Sequence, residues 1–532
     1  MALSHPQVPR ICSQELAMIK MRITLVMTVR NPLTEEEFFR NTSRRWIFNE
    51  PDRLNERYVK FRTAELQRIA GQVLQQEYCP DIVKLAEGGF NKVFLLRAKN
   101  GREVMARIPT PIAGPRRYTT ASEVATMDFL RAVLKLPIPE ILGYSATPDN
   151  PVGAECILME RVQGESLASR WLSLTTDEVK HVMVQMAEIE RRIFDFSFPG
   201  YGSLYYKGDL DSETQIPVFW HGERSNTEID RGPWLSPLEC ITSAARREMA
   251  VIQQYAKPQP RQTFLLPTNH DIHPSEHISL LSQFLHTPTL RHPDLSLSNI
   301  FLAPGSTEIT SIIDWQDAMI FPRLMQAGYP ALCEHDLSKP QSLTIPSLPD
   351  DFDNMSFDEQ RQAVNLFRLK EANLYYTAAT GIHNEQHMDI LKIPYLDMRQ
   401  YLLKQTRYPW DADLINLRAA LVGITTPAVW SKISSAECPV RFSDEEREVA
   451  IAESQEWNES EQLLARVREH LGIDLEGGTE PENFERAVLG NRQLREEMVR
   501  QAEADQEGIC WRNWPYKDNG DDSEPPSSLK ER

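Results

Sequence analysis

His292-Pro293-Asp294-Leu295-Ser296-Leu297-Ser298-Asn299-Ile300-Phe301-Leu302, followed by Ile312-Ile313-Asp314-Trp315, is the stretch on which the reading of this chain turns. The first run fits the spacing H-x-D-x-x-x-x-N, and the second is a short apolar strand ending in an aspartate. Phosphoryl transfer needs a carboxylate to receive and orient the attacking hydroxyl. It also needs oxygen ligands for a Mg²⁺ that bridges the ATP phosphates. On this reading Asp294 takes the first role, and Asn299 and Asp314 take the second. Ile300-Phe301-Leu302 and Ile309 to Ile313 are expected to pair as a hairpin across Pro304-Gly305-Ser306-Thr307, bringing Asn299 and Asp314 to one end. An acidic surface loop beside a hairpin accounts for either aspartate alone; the ordered set favours chemistry.

The same order fits the catalytic loop and the D-F-G aspartate of kinases. It resembles more closely the aminoglycoside phosphotransferase family, whose loop usually reads like H-G-D-x-H-x-x-N before an I-D-W or I-D-F aspartate. Phe38-Phe39-Arg40-Asn41-Thr42-Ser43-Arg44-Arg45-Trp46 and Arg231-Gly232-Pro233-Trp234 resemble the fungal branch typified by altered inheritance of mitochondria protein 9. The resemblance covers roughly residues 35 to 430. It implies an α+β, bilobal protein kinase-like fold with a small β-rich N-lobe and a larger, mainly helical C-lobe. ATP and Mg²⁺ would be its cofactors, and the γ-phosphate would pass to a hydroxyl of a small polar molecule. The alternative is a nucleotide-binding pseudokinase acting as a scaffold or a mitochondrial assembly or inheritance factor. Two departures stand out: Pro293 replaces the usual glycine and Ser296 the usual second histidine.

Upstream, Leu85-Ala86-Glu87-Gly88-Gly89-Phe90-Asn91-Lys92-Val93-Phe94 aligns with the kinase glycine-rich loop L-G-x-G-x-F-G-x-V. Small residues there let backbone N–H groups approach phosphates. Gly88 keeps the middle glycine, while Ala86 and Asn91 stand at the other two positions; asparagine tolerates positive φ better than most residues. Gly88, Gly89, Asn91 and Lys92 are therefore candidates for phosphate binding, against a Gly-Gly hairpin turn between ordinary strands. Glu103 to Ile108 matches V-A-I-K with Arg107 in the lysine position. Arginine keeps the charge but offers a longer, planar fork, and Lys92 or Lys84 could add a second cation. Glu123, sixteen residues beyond Arg107, has the spacing of the helix glutamate that pairs with the strand lysine; a capping box with Thr120 explains it equally well. Glu155 to Val162 reads as a buried strand, and the resemblance implies that its end, around Glu160 and Val162, is the hinge whose backbone binds adenine.

Length and composition bound the rest. At 532 residues the chain has room for about two to four domains. A formal net charge of -18 disfavours nucleic acid and anionic membranes as partners. No apolar run is long enough to span a bilayer. The 7 cysteines are scattered without a C-x-x-C pair, as in a reducing compartment. Residues 1–33, with Arg10, Lys20, Arg22 and Arg30 against Glu15, read as a mitochondrial presequence, a disordered tail or a misread gene start; the resemblance implies mitochondrion as the location, with cytoplasm as the alternative. Residues 34–80 read as a helical extension, 81–162 as the N-lobe, and 163–430 as the C-lobe with an insertion at about 198–288. Within that insertion Tyr201, Tyr205, Trp220, His221, Arg224, Arg231 and Trp234 would suit a polar acceptor, and an ordinary packed insertion accounts for them at least as well. Thr175 with Glu178, Ser356 with Glu359 and Ser443 with Glu446 are expected helix starts. Residues 431–510 form a charged helical extension that lies on the C-lobe or takes a protein partner, and 511–532 form a disordered tail.

Overall fold

Alternating burial along the strands after residue 80 creates a sheet with two differently used faces. A computed structural model of the protein describes residues 34–210, 232–255, 259–260, 271–272, 288–333, 345–406, 414–434, 437–438, 440–501 and 507–521. The basic segment 1–33, Trp220, His221, Arg224 and Arg231 of the insertion, and the tail beyond Asp521 lie outside the described residues. Strands β1 (Asp81–Glu87), β2 (Asn91–Arg97), β3 (Glu103–Pro109), β4 (Ile141–Ser145) and β5 (Cys156–Glu160) form one antiparallel sheet in the order β1-β2-β3-β5-β4. Successive side chains point to opposite faces. Lys92, Phe94 and Leu96 of β2 and Val104, Ala106 and Ile108 of β3 are therefore buried together on the outer face. Val93, Leu95, Met105 and Arg107 line the other face, which roofs a cleft. The chain preceding the sheet covers the outer face: Phe38, Phe39, Phe61, and Leu66 and Ala70 of helix α1 (Thr63–Val73) share one core with Phe94, Leu96, Val104 and Ile108.

Between β3 and β4 runs helix α2 (Tyr118–Ala132). Beyond β5 the C-lobe is built on α3 (Thr176–Phe194) packed along α4 (Phe357–His383). Both start at the expected places, because Thr175 with Glu178 and Ser356 with Glu359 satisfy first-turn N–H groups reciprocally. Strand β6 (Ile300–Leu302) pairs with β7 (Ile309–Ile312) and with the short strand Glu165–Ser166, and Ile300, Leu302, Ile309 and Ile312 point into the C-lobe core. The small antiparallel N-lobe sheet, the single crossover helix and the helical C-lobe are the α+β, bilobal kinase-like architecture.

Segments near the two ends of the described chain close on each other in a way that no local pattern announces. Helix α5 (Ile415–Ile424) supports the first half of α6 (Asp444–Leu471), through Arg418 to Glu453 at 3.2 Å and Arg447 to the Val422 carbonyl at 3.3 Å. Helix α6 begins on the Ser443 and Glu446 capping box and ends at Gly472, whose φ of 66° is a left-handed cap that glycine adopts without strain. Its second half buries Leu464, Val467 and Leu471 against Trp514, Tyr516, Ile47 and Phe48, beside α7 (Phe484–Gln501). Arg45–Trp46 forms a two-stranded ribbon with Gly478–Thr479, and buried Arg57 pairs with Glu476. Part of the sparse apolar stripe of 444–501 is thus covered by α5, by Trp514 and Tyr516, and by Ile47 and Phe48 of the N-terminal extension, while Val449, Ile451 and Leu489 stay exposed. Contrary to the disordered tail expected from residue 511, the chain is packed here as far as Asp521: Trp514 anchors this module, 2% exposed, with its indole N–H donated to Asn491 Oδ1 at 2.9 Å. Trp514→Ala is expected to cost about 3–5 kcal/mol in urea unfolding of the full chain; a loss below about 1 kcal/mol would show that the module does not depend on it. None of the six cysteines among the described residues is in a disulfide, and no described helix is long and apolar enough to cross a membrane.

Candidate active site

Pairing of Ile300 with Ile312 and of Phe301 with Ser311 makes the loops before β6 and after β7 emerge side by side. Backbone and imidazole bonds then fasten them. The Ile313 N–H donates to the Asn299 carbonyl at 3.0 Å. His292 Nε2 lies 2.8 Å from the Ile313 carbonyl, and Nδ1 accepts the Asp294 N–H at 3.1 Å. Those partners require the neutral tautomer with the proton on Nε2. Burial holds the imidazole pKa below its usual value, in keeping with that tautomer. The ring meets Trp315 edge-on at 4.5 Å, and the Trp315 indole N–H donates to the Ile312 carbonyl at 3.1 Å. His292 is therefore the clip of the loop, a role that the motif contains but that its spacing does not disclose.

On this frame Asp294 lies exposed and Asn299 buried beneath it. The Asn299 amide donates to the Asp294 carbonyl at 2.9 Å and lies 3.4 Å from its Oδ2. With Nδ2 spent there, Asn299 Oδ1 is left for another partner. Asp314 sits at φ 67° and Asp317 at φ 62°, two left-handed residues in one turn, a conformation that aspartate tolerates better than most residues. The turn presents the Asp314 side chain 47% exposed to the cleft.

Above it, Arg107 forks. One guanidinium nitrogen binds the Glu123 carboxylate; the other reaches Asp314 Oδ1 at 2.9 Å and Gln316 Oε1 at 2.8 Å. Helix α2 carries Glu123 inward. Burial pushes its carboxyl up to about 7, opposed by Arg107 and reinforced by Asp314 and Asp317. The capping box read at Thr120 does not form. The helix starts two residues earlier, at Tyr118, so Thr120 lies inside the first turn and donates instead to Glu155 Oε2 at 2.6 Å. Glu123 is left to Arg107.

Gln316 went unread in the sequence, although it directly follows the I-D-W run. Its Oε1 also accepts the Asn91 amide at 2.8 Å, and its Nε2 donates to the Ala113 carbonyl at 2.7 Å. One buried amide thus joins β2, β3 and the β3–α2 connection to the Asp314 turn. Gly88 and Gly89 lie exposed at the β1–β2 turn, closed by the Gly88 N–H to the Asn91 carbonyl at 3.0 Å. Neither needs positive φ, and a Cβ on either would meet nothing within 4 Å. Asn91 is a strand residue rather than a left-handed turn residue.

Lys92 does not join the cleft group. The two-residue period that sends Asn91 and Val93 toward the cleft sends Lys92 outward, fully buried, onto Glu87 Oε1 at 2.8 Å. Lys84 reaches the same oxygen at 2.7 Å, and Glu87 also accepts the Thr42 N–H at 2.8 Å. Neither lysine supplies the second cleft cation that the sequence offered. Glu160 ends β5 and points its carboxylate out, 3.5 Å from Arg131. The Val162 N–H faces Met105 Sδ at 3.5 Å, a weak partner. The turn Gly200-Tyr201-Gly202-Ser203-Leu204 is tied to the segment after Asp314 by the Gly202 N–H to the Ile320 carbonyl at 3.0 Å. Tyr205 lies edge-on to Tyr118 of α2 at 6.3 Å.

This arrangement has a counterpart in known sequences. The model of the phosphotransferase enzyme family, the aminoglycoside phosphotransferase type, matches residues 81–329, a span that holds every cleft residue just described. The chain belongs to that family. A subtelomeric hrmA-associated cluster protein of Aspergillus fumigatus is 71% identical to this chain over 507 residues, covering 85% of this chain and 100% of that protein. Altered inheritance of mitochondria protein 9, mitochondrial, of Meyerozyma guilliermondii is 22% identical over 422 residues, or 68% of this chain and 69% of that protein. Among solved structures, the streptomycin–ATP–APH(2″)-IIa ternary complex aligns with a TM-score of 0.34 at 13% identity, covering 65% of this chain and 91% of that one. As a phosphotransferase-family chain it has the fold of kinase-like phosphoryl transfer, with Pro293 and Ser296 standing in the loop between His292 and Asn299.

Proposed function

We propose that the chain transfers the γ-phosphate of Mg-ATP to a hydroxyl of a small polar molecule, with the adenine at the hinge around Glu160 and Val162 and the phosphates beneath Gly88, Gly89 and Asn91. The observation that carries this reading is the convergence of Arg107, Asp314 and Gln316 across the lobes directly beside the paired Asp294 and Asn299. Mg²⁺ asks for hard oxygen ligands, and Asn299 Oδ1 and the exposed Asp314 carboxylate fit that demand. When bound, the ion would neutralise charge between the terminal phosphates. Asp294 orients the acceptor hydroxyl and takes its proton; His292 and Asn299 keep that carboxylate in place. Arg107 contributes positive charge from the roof, and Glu123 holds the guanidinium. Positioning and charge neutralisation supply most of the acceleration.

One observation favours the second reading, a nucleotide-binding scaffold: both Arg107 η nitrogens are already engaged by Glu123, Asp314 and Gln316. Thermal unfolding with Mg-ATP, with ATP plus chelator, and without nucleotide, run beside a metabolite phosphorylation screen, separates the two. The transferase reading expects Mg-dependent stabilisation, about 2.7 kcal/mol at a hundredfold excess over Kd, together with phosphorylated product. Stabilisation without product supports the scaffold, and no Mg-ATP effect overturns both. The mitochondrial names of the more distant relatives support a mitochondrial location for the chain, which a fluorescent fusion of the full chain in a fungal host would test.

A further inference from the structure

Beneath the catalytic loop lies a buried ionic network that no step above uses. Arg291, the residue immediately before His292, donates Nε to Glu190 Oε1 at 2.9 Å, Nη1 to the Gln326 carbonyl at 3.1 Å and Nη2 to the Gly328 carbonyl at 2.9 Å. Glu190 comes from α3 and is 4% exposed; its second oxygen accepts the Tyr376 hydroxyl of α4. The Gly328 N–H in turn donates to His387 Nε2 at 3.1 Å. With Nε2 accepting, the proton of the neutral ring sits on Nδ1, 3.9 Å from Glu190 Oε2, while the ring stacks on Phe194 at 4.7 Å. Burial lowers the His387 pKa to about 4, so the ring is neutral near pH 7.

A buried ion pair of this kind is weak evidence for stability, because apolar residues of similar volume often do as well or better. What apolar residues lack is the planar fork, which places several partners at set directions. Here the fork grips the carbonyls of 326 and 328, downstream of the Asp314 turn, and its own backbone runs straight into His292 and Asp294. One side chain therefore ties the start of the Asp294 loop to residues 326 and 328, in addition to the Ile313–Asn299 and His292–Ile313 bonds that fasten the loop to the Asp314 turn.

We propose that Arg291 is a positioning residue, with Glu190 as its counter-charge, that sets the Asp294 loop against the segment following Asp314. Its effect on turnover rests on the phosphotransferase reading; its effect on the loops does not. The decisive variant is Arg291→Lys, which keeps the charge and loses the fork. Phosphoryl transfer is expected to show kcat lowered about 10–100-fold with KM for ATP unchanged. Hydrogen exchange in peptides covering 292–299 and 326–330 is expected to quicken about tenfold or more, with the N-terminal half of α3 exchanging as in the wild type. Unchanged kcat together with unchanged local exchange overturns the proposal, and so does exchange that rises uniformly through the protein. Should the wild type transfer no phosphate, the proposed function fails by itself and the exchange arm alone decides. Should Arg291→Lys not fold, the apolar set Glu190→Leu, Arg291→Met, Tyr376→Phe takes its place. Local acceleration in that protein supports the proposal, and wild-type exchange overturns it. Failure of both to fold also overturns it, since the pair would then be a stability element.

Discussion

Asp294→Asn is expected to lower phosphoryl transfer by about 10²–10⁴-fold, the range for removing a positioned proton acceptor, while Mg-ATP binding stays near wild type. The substitution is nearly isosteric, and the two bonds that shape the loop at this residue are made by its backbone. The Asp294 N–H rests on His292 Nδ1 and its carbonyl on the Asn299 amide. The carboxylate is exposed, so its loss leaves no buried charge unpaired and the fold should be untouched. What disappears is the ability to accept the hydroxyl proton. Single-turnover measurement of product beside Mg-ATP titration checks both halves. Equal turnover in the variant would remove Asp294 from the chemistry, and loss of binding would assign it to the metal rather than the acceptor.

The site was legible where chemistry and local order coincide. H-x-D-x-x-x-x-N and the aspartate after Ile313 are fixed by spacing, and the β6–β7 hairpin follows from two apolar runs around Pro304-Gly305. Capping boxes were readable at Thr175, Ser356 and Ser443 because each glutamate still reaches its own N-cap, Glu178 doing so through one oxygen while Arg170 lies 3.9 Å from the other. At Thr120 something does: Arg107 claims Glu123 and Glu155 claims Thr120, so the helix starts elsewhere. Lys92 looked like a phosphate ligand because a motif is a string, whereas a strand has two faces and the even positions of β2 belong to the N-terminal extension. Gln316 carries no chemistry in isolation; its amide acquires a role only when three segments far apart in sequence arrive around it. The ribbon of Arg45–Trp46 with Gly478–Thr479 is the extreme case, since two residues at each end of a long chain leave no periodicity to read.

Arg107→Met is expected to abolish Mg-ATP stabilisation and to cost about 3–5 kcal/mol of fold stability, because it strands Glu123 as an uncompensated buried charge. Glu123 is 4% exposed, with Asp314 and Asp317 adding repulsion. Without the guanidinium it escapes by taking up a proton, which gives the loss a signature in pH. A carboxyl whose folded pKa lies above its unfolded value binds more protons folded than unfolded, so stability falls as pH rises through that interval. In the wild type the interval runs from 4.5 to about 7; removing the opposing Arg107 charge extends its upper end. The deficit of the variant should therefore be larger in urea unfolding at about pH 8 than at about pH 6. Equal deficits would mean that the guanidinium acts by packing alone. Arg107→Lys separates charge from reach. An ammonium is a compact point charge without the fork that spans Glu123, Asp314 and Gln316 together, so pairing with Glu123 preserves most stability while Asp314 is released. If Arg107 competes with Mg²⁺ for that carboxylate, Arg107→Lys binds Mg-ATP more tightly than the wild type. If Arg107 is required to grip phosphate through both its η nitrogens, the lysine variant binds more weakly, and the engaged fork is then the resting state of a nucleotide clamp rather than a block on it.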